Sequence, residues 1–316
     1  MKLNKILFCM AMASAASMAA ELGGLVTVAP YAELSAKATA FGMLIGNPFV
    51  PALLLTSLQQ SAIATYGRFR SDKPLALASY AISPGKTEEV VIYPSVDRVA
   101  RMALANPGSE RIAKDALHIV PTEDNPKDQY AVFETDGVFT AFASSEALAR
   151  QGLADGVPAT KDALPILRVA LRRPGVMSVC NAVKGSGVTN VYEMIEGFSR
   201  LDMTVDMEAR GFSLAFTGVR ANGVADAAYK ARLERDLHGV FDMIGGEDGI
   251  LSPSVTVSTK PGGMVTGEIL LTNEQLKGLG KGFNSFVAKQ MSGALAGEEE
   301  AKKKDKQGAK GKERSK

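Results

Sequence analysis

Hydrophobic and polar residues alternate on both sides of a short turn in the segment Leu201–Phe216, a pattern that predicts two strands with one buried face. The turn is Ala209-Arg210-Gly211, where glycine can adopt a positive φ. After a break, Tyr229, Leu233 and Leu237 recur at a spacing of four residues, as on one face of a helix. Gly245-Gly246 should end that helix. We therefore predict a ββα unit whose helix packs across its hairpin.

The same order of elements recurs elsewhere in the chain and predicts an α+β fold. Before the linker 157–165, the pattern predicts strands at Leu75–Ile82, Glu89–Val96, Ala116–Val120, Gln129–Thr135 and Val138–Ala143, with the turn Asp136-Gly137 between the last two. It predicts helices at Asp97–Leu104 and after Ser145. After the linker it predicts a strand at Ile166–Leu171, a helix at Asn190–Leu201, a hairpin at Ser254–Thr259 and Met264–Leu271, and a helix from an Asn273 cap to Met291. We predict two lobes of antiparallel hairpins, 73–156 and 166–292, each covered by helices.

The first 19 residues have the pattern of a secretory signal peptide. Lys2 and Lys5 precede the apolar stretch Ile6–Ala16, and Ser17-Met18-Ala19 offers a small-x-small cleavage site. This pattern predicts a periplasmic or secreted protein. Only one cysteine, Cys180, would then remain, so no internal disulfide is expected, and we interpret Cys180 as a small buried apolar residue.

The N-terminal segment 20–72 is strongly apolar, and its part Ala38–Gly67 contains no charged residue. Prolines interrupt it, so the pattern predicts two helices, at about Pro30–Ile45 and Pro51–Tyr66, preceding the lobes. Neither helix has the ~20 unbroken apolar residues of a membrane span. We therefore favour a buried helical pair over membrane insertion, with a groove facing lipid or a partner as a third interpretation.

The formal charge of +2 conceals an acidic body and a basic tail. Residues 21–300 contain 26 basic and 32 acidic side chains, a net charge of −6, whereas residues 301–316 have a net charge of +6. The tail, 293–316, should be disordered because it is too polar to form a core. It is either a solubilising end or a tether to anionic envelope polymer or lipid headgroups. The tether would bind through Lys302, Lys303, Lys304, Lys306, Lys310 and Lys312. We expect it to bind no specific nucleic acid.

No motif in the sequence identifies an active site. Gly85-Lys86-Thr87 resembles the end of a phosphate-binding loop, but Tyr80 replaces the required first glycine and the segment joins two strands. The two histidines, His118 and His238, are interpreted as structural, although they could still meet in space. We predict no catalytic, cofactor-binding or metal-binding residue.

Three segments carry a resemblance to a family: Asp72-Lys73-Pro74-Leu75-Ala76, Glu208-Ala209-Arg210-Gly211-Phe212-Ser213-Leu214 and Gly267-Glu268-Ile269-Leu270-Leu271-Thr272-Asn273-Glu274. The chain resembles a class of uncharacterised exported bacterial proteins in which two α+β lobes follow a signal peptide and a helical segment. The resemblance implies this architecture and brings no activity.

The sequence therefore favours an exported, non-catalytic binding or scaffolding protein of the bacterial cell envelope. Two alternatives remain open at this point. One is a hydrolase whose site the sequence does not reveal, and the other is a carrier that holds an apolar ligand near Ala38–Gly67.

Overall fold

The computed structural model describes residues 20–83, 86–95, 108–120, 128–134, 138–157, 164–185, 194–245 and 253–278. The predicted signal peptide, the helix Asp97–Leu104, the turn Asp136-Gly137 and the basic tail lie outside these residues. The strands are β1 (Glu21–Val28), β2 (Leu75–Ser83), β3 (Lys86–Pro94), β4 (Glu110–Ala113), β5 (Ala116–His118), β6 (Tyr130–Phe133), β7 (Phe139–Ala143), β8 (Leu167–Arg172), β9 (Phe198–Glu208), β10 (Gly211–Arg220), β11 (Ser254–Lys260) and β12 (Met264–Thr272). The longer helices are α1 (Tyr31–Leu44), α2 (Phe49–Tyr66), α3 (Glu146–Gly156), α4 (Arg173–Gly185) and α5 (Ala227–Gly245).

All the described strands belong to one open antiparallel sheet. Its order is β11-β12-β10-β9-β8-β1-β2-β3-β7-β6-β5-β4. The α+β class is therefore confirmed, but the structure does not show two separate lobes. The reason is β1, a strand that the sequence analysis missed, which pairs with β2 on one side and β8 on the other. It joins the two predicted groups of strands into a continuous sheet.

Helices cover both faces of the first half of this sheet. Ile92 and Tyr93 are neighbours in β3 and so point to opposite faces. Ile92 packs in a cluster with Leu148 and Ala149 of α3, whereas Tyr93 packs with Tyr66 at the end of α2. The first half is thus a three-layer arrangement.

Helices α4 and α5 cover the second half of the sheet from the same side as α2. The pairings Val91–Leu77, Leu77–Val26 and Val26–Val169 place these residues on one face, because antiparallel partners share a face. Val169 belongs to the core cluster that includes residues of both helices, namely Val176, Val179, Cys180, Leu233 and Leu237. On the opposite face of β9, Lys37 of α1 pairs with Asp206.

The predicted ββα unit is present, with longer strands than expected. Gly211 has φ +144° and follows the turn between β9 and β10, as the sequence predicted. Phe216 is buried with Leu233 and Leu237 of α5, and Tyr229 and Leu214 pack against the same cluster. The helix therefore covers its own hairpin.

Two local predictions were wrong. The predicted helix Asn190–Leu201 ends earlier, since β9 already begins at Phe198, where the aromatic ring is buried in the core. The cap of the last helix is Thr272 and not Asn273. Thr272 Oγ1 accepts from the Gln275 N–H at 3.4 Å, and Gln275 Oε1 accepts from the Thr272 N–H at 2.8 Å, which is a reciprocal capping box.

Candidate functional site

The most unusual surface of the protein is the helical hairpin formed by α1 and α2, hereafter the hairpin. Its two helices approach closely at the turn, where a Cβ on Gly42 would lie 2.7 Å from the Cα of Pro48. The N–H of Asn47 donates to the carbonyl oxygen of Gly42 at 2.8 Å and closes the turn. Pro51 is tolerated in the first turn of α2 because its missing N–H would have no helical partner there.

The hairpin is not buried, and the prediction of a buried helical pair was therefore wrong. Among the residues of α2 whose side chains are described, none is buried. The large apolar side chains of the hairpin are instead strongly exposed: Met43 by 71%, Phe49 by 75%, Leu53 by 67%, Leu54 by 59% and Leu58 by 68%. We call these five residues the apolar tip. A contiguous apolar surface of this kind usually marks an interaction site.

An aromatic cluster fixes the other end of the hairpin to the sheet. The Tyr66 ring lies 4.8 Å from that of Phe142 and 5.3 Å from that of Tyr93, measured between centroids. The buried hydroxyl of Tyr93 donates to the carbonyl oxygen of Gly67 at 2.7 Å, and burial raises the pKa of this phenol. Tyr66 donates to Asp128 Oδ2 at 3.1 Å. The hairpin thus has an anchored root and an exposed tip.

The tip of the hairpin and the whole of α2 are uncharged, and charged residues follow at the root. Ala38–Gly67 is free of charge, and the sequence then continues with the exposed Arg68 and Arg70. Arg70 pairs with Asp72 at 2.8 Å. The hairpin is therefore polarised, with an uncharged apolar end and a basic end.

A crevice of about 200 Å³ lies behind the hairpin. Apart from Lys37, its lining is apolar and comes from α1, α2, the residue before β8 and the end of the β9–β10 hairpin: Leu34, Ala38, Phe41, Pro51, Leu55, Ile166, Met207 and Phe212. Lys37 Nζ lies 2.6 Å from Asp206 Oδ1 and donates to the carbonyl oxygen of Leu164 at 3.1 Å. This ion pair holds α1 against the second half of the sheet.

Across the parts of the chain that the structure describes, helices that combine the length and the apolar character needed to cross a membrane are absent.

The two histidines do not form a common site. His118 lies in β5, with its ring 5.1 Å from that of Tyr130, whereas His238 is exposed on α5. Helix α5 packs beside β11, and β11 and β5 are ten strand positions apart in the sheet, at about 4.8 Å each. Within the described ranges, no three His, Cys, Asp or Glu residues are placed to hold a metal ion.

Cys180 is buried and free, as the sequence predicted. Burial raises the pKa of its thiol to about 11. A thiol in this environment is a poor nucleophile at neutral pH.

Comparisons with known proteins give only a distant structural likeness. No known protein family matches the sequence, and no curated protein matches it. Among solved structures, crystal form I of TP0453 from Treponema pallidum has 9% sequence identity and a TM-score of 0.39, covering 87% of this chain and 99% of that chain. Crystal form III of the same protein has 9% identity and a TM-score of 0.38, covering 85% of this chain and 95% of that chain.

Proposed function

We propose that this protein is an exported, non-catalytic binding protein of the bacterial cell envelope and that the apolar tip of the hairpin attaches it to a lipid surface. One observation carries the proposal: α2 exposes Phe49, Leu53, Leu54 and Leu58 to water while its root is anchored in the core. A soluble helix normally turns its apolar side chains towards the protein. An unpartnered tip with no charge suits a partner that is itself apolar.

The distribution of polar groups favours a lipid surface over a protein groove. The apolar side chains of α2 concentrate between Phe49 and Leu58, about 13 Å of helix, and Gln59, Gln60 and Ser61 follow. Interfacial helices bury their apolar side chains ~5–10 Å into the boundary between headgroups and acyl chains. Arg68, at the root, would then face the phosphate-bearing surface, whereas Arg70 is already paired with Asp72. Insertion of the tip needs no helix that spans the bilayer.

The apolar tip is large enough to matter energetically. Complete burial of a leucine or phenylalanine side chain contributes about 1.5–3 kcal/mol, and the five tip residues are exposed by 59–75%. Each would contribute roughly 1–2 kcal/mol on transfer into lipid. This sum is comparable with a single acyl anchor, whose membrane binding is reversible.

The substitution pair Leu54→Ser and Leu58→Ser should weaken binding to neutral phosphatidylcholine vesicles by about tenfold or more, since it removes roughly 2–4 kcal/mol of apolar transfer. The measurement is vesicle co-sedimentation of the full chain at moderate salt. The matched control is Ile112→Ser with Val120→Ser, two side chains exposed by 43% and 42% away from the hairpin. Equal binding by the tip variant and the control would refute the proposal.

We further propose that the basic tail supplies a second, electrostatic attachment through Lys302, Lys303, Lys304, Lys306, Lys310 and Lys312. The support is its net charge of +6 beside an acidic body. Charge attraction of this kind is screened within about 10 Å at 0.1 M salt. Deletion of 301–316 should therefore reduce binding to anionic vesicles at low salt and leave binding to neutral vesicles unchanged. Retention of full binding by the deleted chain at low salt would contradict this role.

A second candidate function is a carrier of a small apolar ligand, and the crevice beside Lys37 favours it. The crevice is apolar apart from one ammonium group, as expected for a site that holds an apolar molecule. Native mass spectrometry of the purified chain tests it: a bound molecule lost on replacing Ala38 with phenylalanine would support a carrier.

A further inference from the structure

The start of β1 is held by the C-terminal half of α3. Ala20, the residue before β1, is half-buried and packs against the core cluster that includes Leu148 and Ala149 of α3. The carbonyl oxygen of Ala20 accepts a hydrogen bond from Gln151 Nε2 at 2.8 Å. The chain is therefore tied to the folded body at Ala20, the residue that directly follows the predicted cleavage site Ser17-Met18-Ala19.

A carboxylate lies beside this point of attachment. Gln151 Nε2 also donates to Asp155 Oδ2 at 3.4 Å, so Asp155 Oδ2 and the carbonyl oxygen of Ala20 both contact one nitrogen atom and are close neighbours. The hydroxyl of Tyr80 donates to the same Oδ2 at 3.0 Å. The nitrogen of Ala20 is three covalent bonds from its own carbonyl oxygen. A charge on that nitrogen would therefore act on the Asp155 carboxylate at short range.

Asp155 occupies an electrostatically unfavourable position. It lies in the last turn of α3, at the negative end of the helix dipole, where a positive charge is the stabilising one. No basic residue is present in that turn. Among the described residues, the partners of the Asp155 carboxylate are the Tyr80 hydroxyl and the Gln151 amide, and both are uncharged. The helix end and the carboxylate therefore both favour a cation beside Asp155.

We propose that the chain is cut between Ala19 and Ala20 and that the α-ammonium group freed at Ala20 forms an ion pair with Asp155. Hydrolysis adds one water molecule across this peptide bond. Ala19 leaves with a carboxylate, and the nitrogen of Ala20, an uncharged amide before the cut, becomes a protonated amine at neutral pH. The enzyme is an export peptidase that recognises small residues before the cut. This inference rests on the export step of the proposed function and requires neither the apolar tip nor the tail.

The ion pair gives removal of the signal peptide a structural consequence. β1 joins the two halves of the sheet through its pairing with β2 and β8, and the ends of a chain fray unless they are held. Helix α3 is a firm support, because a Cβ on Gly152 or Gly156 would collide with Val90 or Ile92 of β3. The charge created at Ala20 therefore fixes the start of the joining strand to a well-packed helix.

The first experiment identifies the N-terminal residue. The full chain is expressed in a bacterium, recovered from the periplasmic and envelope fractions, and analysed by intact mass spectrometry. We expect a chain that begins at Ala20. An exported chain that begins at any other residue would overturn this inference and leave export intact, whereas an uncut chain confined to the cytoplasm would contradict both.

Trace acetylation with acetic anhydride at neutral pH tests the ion pair on the exported chain. The pair keeps the amine protonated and unreactive, so Asp155→Asn should accelerate acetylation at Ala20 by roughly two- to fivefold, as expected for an exposed ion pair at a helix end. Asparagine can still accept the hydrogen bond from Tyr80. The matched control is Glu146→Gln, which removes one carboxylate at the opposite end of α3 and should leave the rate at Ala20 unchanged.

Acetylation of Lys37 in the same samples checks folding. Its ammonium group lies 2.6 Å from Asp206 Oδ1, so its rate should stay constant in a folded variant and rise on unfolding. Equal rates at Ala20 in the wild type and in Asp155→Asn would overturn the pairing. An equal acceleration by Glu146→Gln, or a parallel increase at Lys37, would also count against it.

Discussion

Replacing Gly175 with alanine should destabilise the protein by about 3 kcal/mol, a typical upper cost of overpacking. Gly175 lies in the first turn of α4, where the helix rests on the backbone of β1. A Cβ at this position would lie 2.1 Å from the carbonyl oxygen of Gly23 and 2.7 Å from its carbonyl carbon. Backbone atoms of a central strand cannot yield as a flexible side chain can. The substitution therefore either displaces α4 or strains the strand that holds the sheet together.

Urea unfolding of the full chain measures this effect. The matched control is Gly239→Ala, a glycine inside α5 with no atom near the position of an added Cβ. Alanine there should stabilise the protein by about 0.5–1 kcal/mol, because glycine is a poor helix former. Similar midpoints for the two variants would show that α4 and β1 are not in the close contact described above.

Replacing Tyr93 with alanine should cost about 3–5 kcal/mol, the usual range for removing a large buried aromatic ring. Tyr93 is fully buried at the root of the hairpin, with its ring 5.7 Å from Phe69 and 6.4 Å from Phe142. Loss of the ring removes the support of α2 as well as part of the core. Relative to the wild type, the variant should therefore show a larger increase in the amide hydrogen-exchange rate in α2 than in α5.

The variant Tyr93→Phe separates the ring from its hydroxyl. It keeps the packing and loses the hydroxyl's contacts with the carbonyl oxygens of Gly67 and, at 3.4 Å, Ala62, which should cost about 1 kcal/mol. If both variants lost the same free energy of unfolding, the hydroxyl and not the aromatic cluster would be the main support of the hairpin.

Strong alternation in the sequence predicted the strands that have one buried face. Phe216 and Leu214 follow this rule, as does the helix stripe through Leu233 and Leu237. These elements were predictable because each buries a continuous apolar surface against its neighbour in the chain. The short edge strand β4, which is exposed and polar, carries no such signal and was missed.

The strand β1 was missed for a different reason. Its sequence contains Gly23-Gly24, which lowers strand propensity, and it follows a stretch interpreted as a signal peptide. At Gly24 a Cβ would lie 2.9 Å from Leu171 Cδ2, so the approach of Leu171 leaves no ordinary space for a side chain there. This requirement comes from residues nearly 150 positions away, so no local pattern could reveal it.

The bounds of α1 and α2 were predicted nearly correctly, but their environment was not. Prolines and hydrophobic residues determine where a helix can form, but they do not determine whether its surface contacts protein, water or lipid. One signal was available: α2 has apolar residues all round and lacks the polar stripe of an ordinary surface helix. The pairing of Arg172 with Arg200 gave less warning, since the two residues become neighbours only through the register of β8 and β9.

The position of β1 also affects how the chain folds during its synthesis. As synthesis proceeds, one edge of this strand can pair with β2 early, while the other waits until β8 emerges much later. During that interval an unpaired edge is open to strands of other molecules. Chaperone protection and slow, concentration-sensitive refolding are therefore expected of this chain, and a purification tag is better placed away from Ala20.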